Sequence, residues 1–191
     1  SFYGRSTNRS QTIDGNDIHD LPFVGASTGP STFYGLYSLY NYGTSSNFLK
    51  IENNTYKDII AGRLYVGYNL YNENVSLRSN ITDNVDATSS NFYGWYNWYN
   101  NGKLIVEDNE MYNCSSQSIS YGISCGYGNA EITMNNNTFK HNALGQSTST
   151  SYTRPGVAYL HLNYPNRSRT HFLQHNEVDS NDAGMYYSHG I

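Results

Sequence analysis

The side chains best suited to contact chemistry form one recurring series. Tyr3, Tyr34, Tyr65, Tyr93, Tyr121, Tyr159 and Tyr186 return along the chain in similar settings, such as Phe33-Tyr-Gly35, Leu64-Tyr-Val66 and Phe92-Tyr-Gly94. Three units extend the match: Tyr34-Gly-Leu-Tyr-Ser-Leu-Tyr40, Tyr65-Val-Gly-Tyr-Asn-Leu-Tyr71 and Tyr93-Gly-Trp-Tyr-Asn-Trp-Tyr99. If Phe33, Leu64 and Phe92 face a core, strand alternation turns the tyrosine column outward, together with Tyr40, Tyr71, Tyr99, Tyr127, Trp95 and His161. The expected product is an exposed aromatic ribbon. Tyr34, Tyr65, Tyr71, Tyr93, Trp95, Tyr99 and Tyr121 would offer flat faces, and Asn97, with Asn69, would offer amides between them. Such a ribbon suits the rings of a polysaccharide or glycan, or a neighbouring protein subunit, because extended exposed aromatic patches mark contact sites. The plainer reading is a set of cross-strand pairs that stabilise a sheet.

Residues for bond-breaking chemistry are sparser. Glycoside hydrolysis needs two carboxylates at a set separation. Glu52 and Glu107 bracket Arg78 at equivalent positions of successive units, and Lys57 with Asp83, and Lys140 with Asp179, are related in the same way. These columns read as ion-pair ladders that fix register, worth about 0–1 kcal/mol per pair. Asp179 and Asp182 lie away from the tyrosine strand, and Ser188-His-Gly-Ile191 carries a histidine with no aspartate motif beside it. Arg63, Arg154, Arg167 and Arg169 fall in loops without an acidic cluster. His171 and His175 are four apart, which on a strand and corner does not place them on one face for a metal. No catalytic residue, metal site or cofactor is therefore expected. A net charge of -4 with 11 basic residues argues against nucleic acid. No apolar run approaches the roughly 18 residues of a membrane helix, so no membrane insertion is expected.

A second repeat must hold these residues in place. An apolar residue, two polar ones, an asparagine, and an apolar residue two places on recur six times, with Thr82 the weakest fit. The asparagines are Asn16, Asn54, Asn80, Asn109, Asn137 and Asn176, spaced 38, 26, 29, 28 and 39 residues apart. Periods of about 20–50 residues signal stacked units. Leu49-Lys-Ile51 and Leu104-Ile-Val106 show strand alternation before the asparagine. Asparagine tolerates the left-handed conformation of a tight corner, and stacked coils about 4.8 Å apart would set these amides in a hydrogen-bonded ladder. The expected inward columns are Ile13, Ile51, Leu77, Val106, Met134 and Leu173, then Ile18, Tyr56, Met111, Phe139 and Val178. The chain has 37% hydrophobic, 15% aromatic and only 14% charged residues, the profile of an ordered domain rather than a disordered one.

This phrase resembles the right-handed parallel β-helix repeat of the pectate-lyase-like superfamily. The resemblance covers nearly the whole chain and implies an all-β solenoid of about six coils, a single domain over 1–191. It speaks to fold more than to function, since the superfamily holds lyases, hydrolases, epimerases, tailspikes, adhesins and non-catalytic surface proteins. The sequence starts and stops inside the pattern, which predicts a segment of a longer β-helix or a unit that stacks end to end with copies of itself. The functional expectation is a non-enzymatic extracellular or cell-surface module, structural or adhesive. The alternative is a polysaccharide-active enzyme, lyase or hydrolase, with its catalytic residues outside this segment or weakly marked in it. Seven Asn-x-Ser/Thr sequons occur, at Asn8, Asn53, Asn74, Asn80, Asn113, Asn136 and Asn166, a number close to chance for so Asn- and Ser-rich a chain. Cys114 and Cys125 suit either a disulfide or buried thiols. The Gly25–Thr32 and Ala143–Pro155 stretches read as surface loops.

Overall fold

The structure is a computed structural model that describes residues 2–3, 10–22, 31–41, 46–146, 157–163, 165–166, 168–183 and 188–189. The chain winds through three sheets in turn, and each strand pairs in parallel with its equivalent in the neighbouring coil. The first sheet holds Phe2–Tyr3, Thr32–Leu39, Arg63–Leu70, Phe92–Trp98, Ser120–Gly126, Val157–Asn163 and Ser188–His189. The second holds Gln11–Asp14, Leu49–Glu52, Val75–Arg78, Lys103–Glu107, Glu131–Asn135 and Phe172–Gln174. The third begins with Asp17–Leu21, Thr55–Ala61 and Ile81–Ala87, and continues through the paired short strands of the later coils. The fold is thus the expected parallel β-helix, all β among the described residues. It amounts to about four full turns rather than six. The first and last asparagine phrases belong to rungs that are only partly described. Tyr186, Arg154, Arg167 and most of both loops lie outside the described residues.

Both expected core columns form. Ile13, Ile51, Leu77, Val106, Met134 and Leu173 stand in direct register along the second sheet. Ile18, Tyr56, Thr82, Met111, Phe139 and Val178 do so along the third, with Val178 exposed in the last coil. Ile51, Leu77, Val106 and Met134 are fully buried. The low apolar content suffices because each inward side chain packs between its counterparts above and below.

The six asparagines make the ladder. Each Nδ2 donates to the next Oδ1, at 2.8 Å for Asn16 to Asn54, 3.0 Å for Asn54 to Asn80, 2.9 Å for Asn80 to Asn109, 3.0 Å for Asn109 to Asn137 and 2.8 Å for Asn137 to Asn176. The same Oδ1 also accepts the preceding coil's backbone N–H, as in Asn80 N to Asn109 Oδ1 at 3.1 Å. The second Nδ2 proton reaches backbone carbonyls such as Ile51 O. The left-handed residue is not the asparagine itself, as the sequence suggested, but its predecessor. Gly15, Asn53, Ser79, Asp108, Asn136 and His175 all have φ between 52° and 64°. The asparagine is thereby freed to point inward.

Asn109→Ala removes the acceptor for two buried donors of Asn80. It is expected to cost about 2–6 kcal/mol, measured by urea unfolding. Asn16→Ala, at the exposed end of the ladder, is expected to cost less than about 1 kcal/mol. Val106→Asp places a carboxylate in the dry core and is expected to unfold the coils; a folded, soluble Val106→Asp protein would refute this register.

Candidate functional site

The first sheet carries the tyrosines outward, but not in the phase that simple alternation gives. Each strand bends at the column of Gly35, Val66, Gly94 and Gly122. A side chain on Gly35 or Gly122 would run into the carbonyl of Val66 or Tyr159 in the next coil. The bend slips the alternation by one residue. Trp95 therefore faces inward at 3% exposure, over the space left by Gly67 and edge-on to Tyr56 at 5.7 Å. Asn97 and Asn69 also face inward, fully enclosed, with Asn69 Nδ2 donating to Asn97 Oδ1 at 2.9 Å. Trp95 and Asn97 are thus core residues and not parts of the ribbon. Their outward places are taken by Tyr37, Tyr68 and Tyr96, and beyond the slip by Trp98, which the sequence reading missed. Two further expectations fail on register. Tyr159 pairs opposite the bend and is buried against Phe139, while Ala158 stands beside Tyr121. Tyr3 pairs with Leu39 rather than with Tyr34.

The outward tyrosines form three columns: Tyr34, Tyr65, Tyr93 and Tyr121; Tyr37, Tyr68 and Tyr96; and Tyr40, Tyr71, Tyr99 and Tyr127. Within them, rings such as Tyr65 and Tyr93 (4.7 Å, 9°), Tyr68 and Tyr96 (5.3 Å, 7°) and Tyr71 and Tyr99 (4.8 Å, 8°) lie face to face. Between columns they meet edge to face, as Tyr65 and Tyr68 do at 5.1 Å and 85°. Each such pair contributes about 0.5–1.5 kcal/mol beyond area burial. The ring faces expected to meet sugars are therefore already covered by neighbouring rings. The surface offers ring edges and hydroxyls instead.

The third column sits at the corner where the chain leaves the first sheet, and it differs in kind. Tyr40, Tyr71, Tyr99 and Tyr127 all have φ between 49° and 59°. A bulky residue in this conformation is strained by about 1–3 kcal/mol. Asn41, Asn72 and Asn100 follow them and build a second ladder, with Asn41 Nδ2 donating to Asn72 Oδ1 at 2.7 Å and Asn72 N to Asn100 Oδ1 at 3.0 Å. That ladder stops at Gly128, which has no side-chain amide to offer. Here Tyr71, Tyr99, Tyr127, Asn101, Gly128, Asn129 and Asn166 enclose an open cleft of about 510 Å³. Asn166 is held from three sides. Its Nδ2 donates to Asn129 Oδ1 at 3.0 Å, its Oδ1 accepts from Ser168 N at 2.8 Å, and its carbonyl meets His171 Nε2 at 3.0 Å. His171 Nδ1 in turn accepts from Ile132 N at 3.3 Å, so His171 braces the cleft wall. Sequence reading found Tyr71 and Tyr99 but not the amides beside them, because Asn101 and Asn129 recur in only two coils, where the preceding coil has Glu73, and Asn166 has no counterpart in the repeat.

The other reactive groups are structurally engaged. Arg78 Nη2 pairs with Glu107 at 3.0 Å and Lys57 with Asp83 at 3.7 Å, while Lys140 reaches Glu177 at 2.9 Å rather than its expected partner Asp179. Ser124 Oγ lies 3.0 Å from His161 Nδ1, but Ser124 is fully buried and also accepts from Trp98 Nε1 at 2.9 Å, which makes the group a brace. Cys114 and Cys125 are buried free thiols, and burial pushes Cys114 up to about 12. The sequons at Asn74 and Asn80 are buried, whereas Asn53, Asn113 and Asn136 are exposed at corners. No family model, curated protein or solved structure matches this chain.

Burial, and then repulsion from neighbouring phenolates, raises the phenols of Tyr65 and Tyr96 above their ordinary range. Unfolded tyrosines lose their protons near pH 10. Above that pH the unfolded chain holds fewer protons than the folded one, so stability falls as pH rises. The urea midpoint is expected to drop from about pH 10 upward, and Tyr96→Phe is expected to flatten that decline.

Proposed function

We propose that this chain is a non-enzymatic extracellular module, structural or adhesive, that meets its partners through the tyrosine face of the first sheet. Those partners are a glycan or a neighbouring subunit, copies of the chain itself included. The observation that carries this reading is the three-column tyrosine array. It gives a rigid outward surface whose rings are ordered by the coil spacing, so little side-chain entropy remains to be lost on contact. Tyrosine is well suited to this role, with a large apolar body and a hydroxyl that both donates and accepts. The coil plan, with its asparagine ladder after the second strand, keeps the likeness to the pectate-lyase-like superfamily, whose non-catalytic surface proteins are the members this reading favours. The carboxylates that could serve hydrolysis support the same view. Glu107 is paired with Arg78, and Glu52 accepts from Ser76 Oγ at 3.4 Å, both on the second sheet and away from the tyrosines.

Glycan-array binding and sedimentation velocity, run on the wild type and on a Tyr34→Lys/Tyr68→Lys variant, test this function. Both substitutions are outward, so the fold should persist by circular dichroism. Glycan binding or self-association is expected in the wild type and should weaken about tenfold or more in the variant. Equal behaviour of the two proteins would reject the tyrosine face. Release of new chain ends from any polysaccharide would instead support the enzyme alternative.

A further inference from the structure

We infer that the corner cleft of Tyr71, Tyr99 and Tyr127 is a binding site for a neutral saccharide chain that lies along the stack. This rests on the tyrosine-face reading and narrows it to one place and one ligand class. The first ground is the backbone. In the column before the ladder asparagines, and in a second left-handed column of Asp20, Asp58, Asn84, Asn113, His141 and Ser180 on the third sheet, the residues are types that are small or polar. At this corner alone the position is tyrosine in four successive coils. Asparagine would fit the same conformation with less strain. Stacking alone does not account for the choice, because the Tyr34 and Tyr37 columns stack equally well on extended backbone. Strain held at a repeated position points to a role for the side chain beyond the fold.

The second ground is the chemistry of the walls. At about 510 Å³ the cleft falls within the usual range for ligand sites, about 300–1,000 Å³. Among the described residues its lining holds three phenols, three carboxamides and a glycine, with no carboxylate and no cationic side chain. Phenol and carboxamide groups both donate and accept hydrogen bonds, as sugar hydroxyls do. These described groups match neutral hydroxyls and offer no countercharge to a phosphate or an acidic sugar. The third ground is shape. The site is open, and its rings repeat along the axis at 4.8 and 5.8 Å, which favours an extended chain over an enclosed small molecule. Asn166, on the far wall, is fixed by Asn129, Ser168 N and His171 before any ligand arrives.

Isothermal titration with cellohexaose, maltohexaose, xylohexaose and mannohexaose, and with oligogalacturonate as the acidic comparison, tests the site. The variants are Tyr99→Asn, Asn129→Ala and, on the flat of the sheet, Tyr34→Lys. Tyr99→Asn keeps a residue suited to the left-handed corner, so its melting temperature should stay within a few degrees of wild type, about the ordinary surface-substitution range. At least one neutral hexasaccharide should bind, about tenfold more weakly to Tyr99→Asn and Asn129→Ala, with little change in Tyr34→Lys. Preference for oligogalacturonate would overturn the neutral ligand. Binding lost in Tyr34→Lys but kept in Tyr99→Asn would overturn the corner site and leave the tyrosine face standing. No binding to any probe would overturn this inference, while the tyrosine face would still be judged by self-association of the Tyr34→Lys/Tyr68→Lys variant.

Discussion

Everything in this molecule answers to the spacing between parallel strands, about 4.8 Å. A residue at a given position of one coil must live against its own equivalent in the next. Inward polar groups are the hardest case, because a buried donor or acceptor left unpaired costs about 1–3 kcal/mol. Only a side chain complementary to itself can fill such a column. The carboxamide is one, since its Nδ2 donates to the Oδ1 above while its own Oδ1 accepts from below. Aspartate would repel its copy, and serine would reach only one partner. The asparagine ladder is therefore less a decoration of the corner than the condition for having a buried polar corner at all.

The same spacing organises the outer surface. It is longer than ideal ring contact but short enough for tyrosines in equivalent rotamers to cover one another, as the 7–11° interplanar angles of pairs such as Tyr68 and Tyr96, Tyr65 and Tyr93, and Tyr34 and Tyr65 show, while Tyr121 and Tyr127 at the column ends tilt to 54° and 29°. A repeat that stacks aromatics well thus removes their faces from use. This is why the flat of the first sheet presents edges and hydroxyls, and why a concave site has to arise elsewhere.

The columns of Ile51, Leu77 and Val106 and the ladder asparagines were legible in the sequence because they repeat at fixed offsets within each unit. What escaped was local backbone geometry. The left-handed residue precedes the asparagine, where residue types vary from glycine to histidine and give no repeating letter. The bend at Gly94 shifts parity in mid-strand, so counting from Phe92 sent Trp95 to the wrong side. Tyr159 shows the complementary error. Its setting between Ala158 and Leu160 looks like the others, but strand register places Ala158 beside Tyr121. Of the cleft amides, Asn101 and Asn129 recur only as a pair, after Glu73 in the coil before, and Asn166 falls where the repeat is interrupted, so a search for long repeating columns passes over them.

That last point bears on where a solenoid can bind anything. A perfectly repeated coil has convex corners and level faces, with no cavity of its own. Concavity appears where the repeat is broken. Here the corner ladder of Asn41, Asn72 and Asn100 ends because the next coil offers Gly128, and a small gap of about 10 Å³ opens among Asn97, Asn100, Gly126 and Gly128. Directly outside it, Asn129 takes up contact with Asn166. The cleft is thus the outer consequence of losing one ladder asparagine. The tyrosines supply its regular wall and the interruption supplies its depth. Restoring the ladder at position 128 would require a side chain where the Asn100 backbone already lies, so corner regularity and the cleft exclude each other.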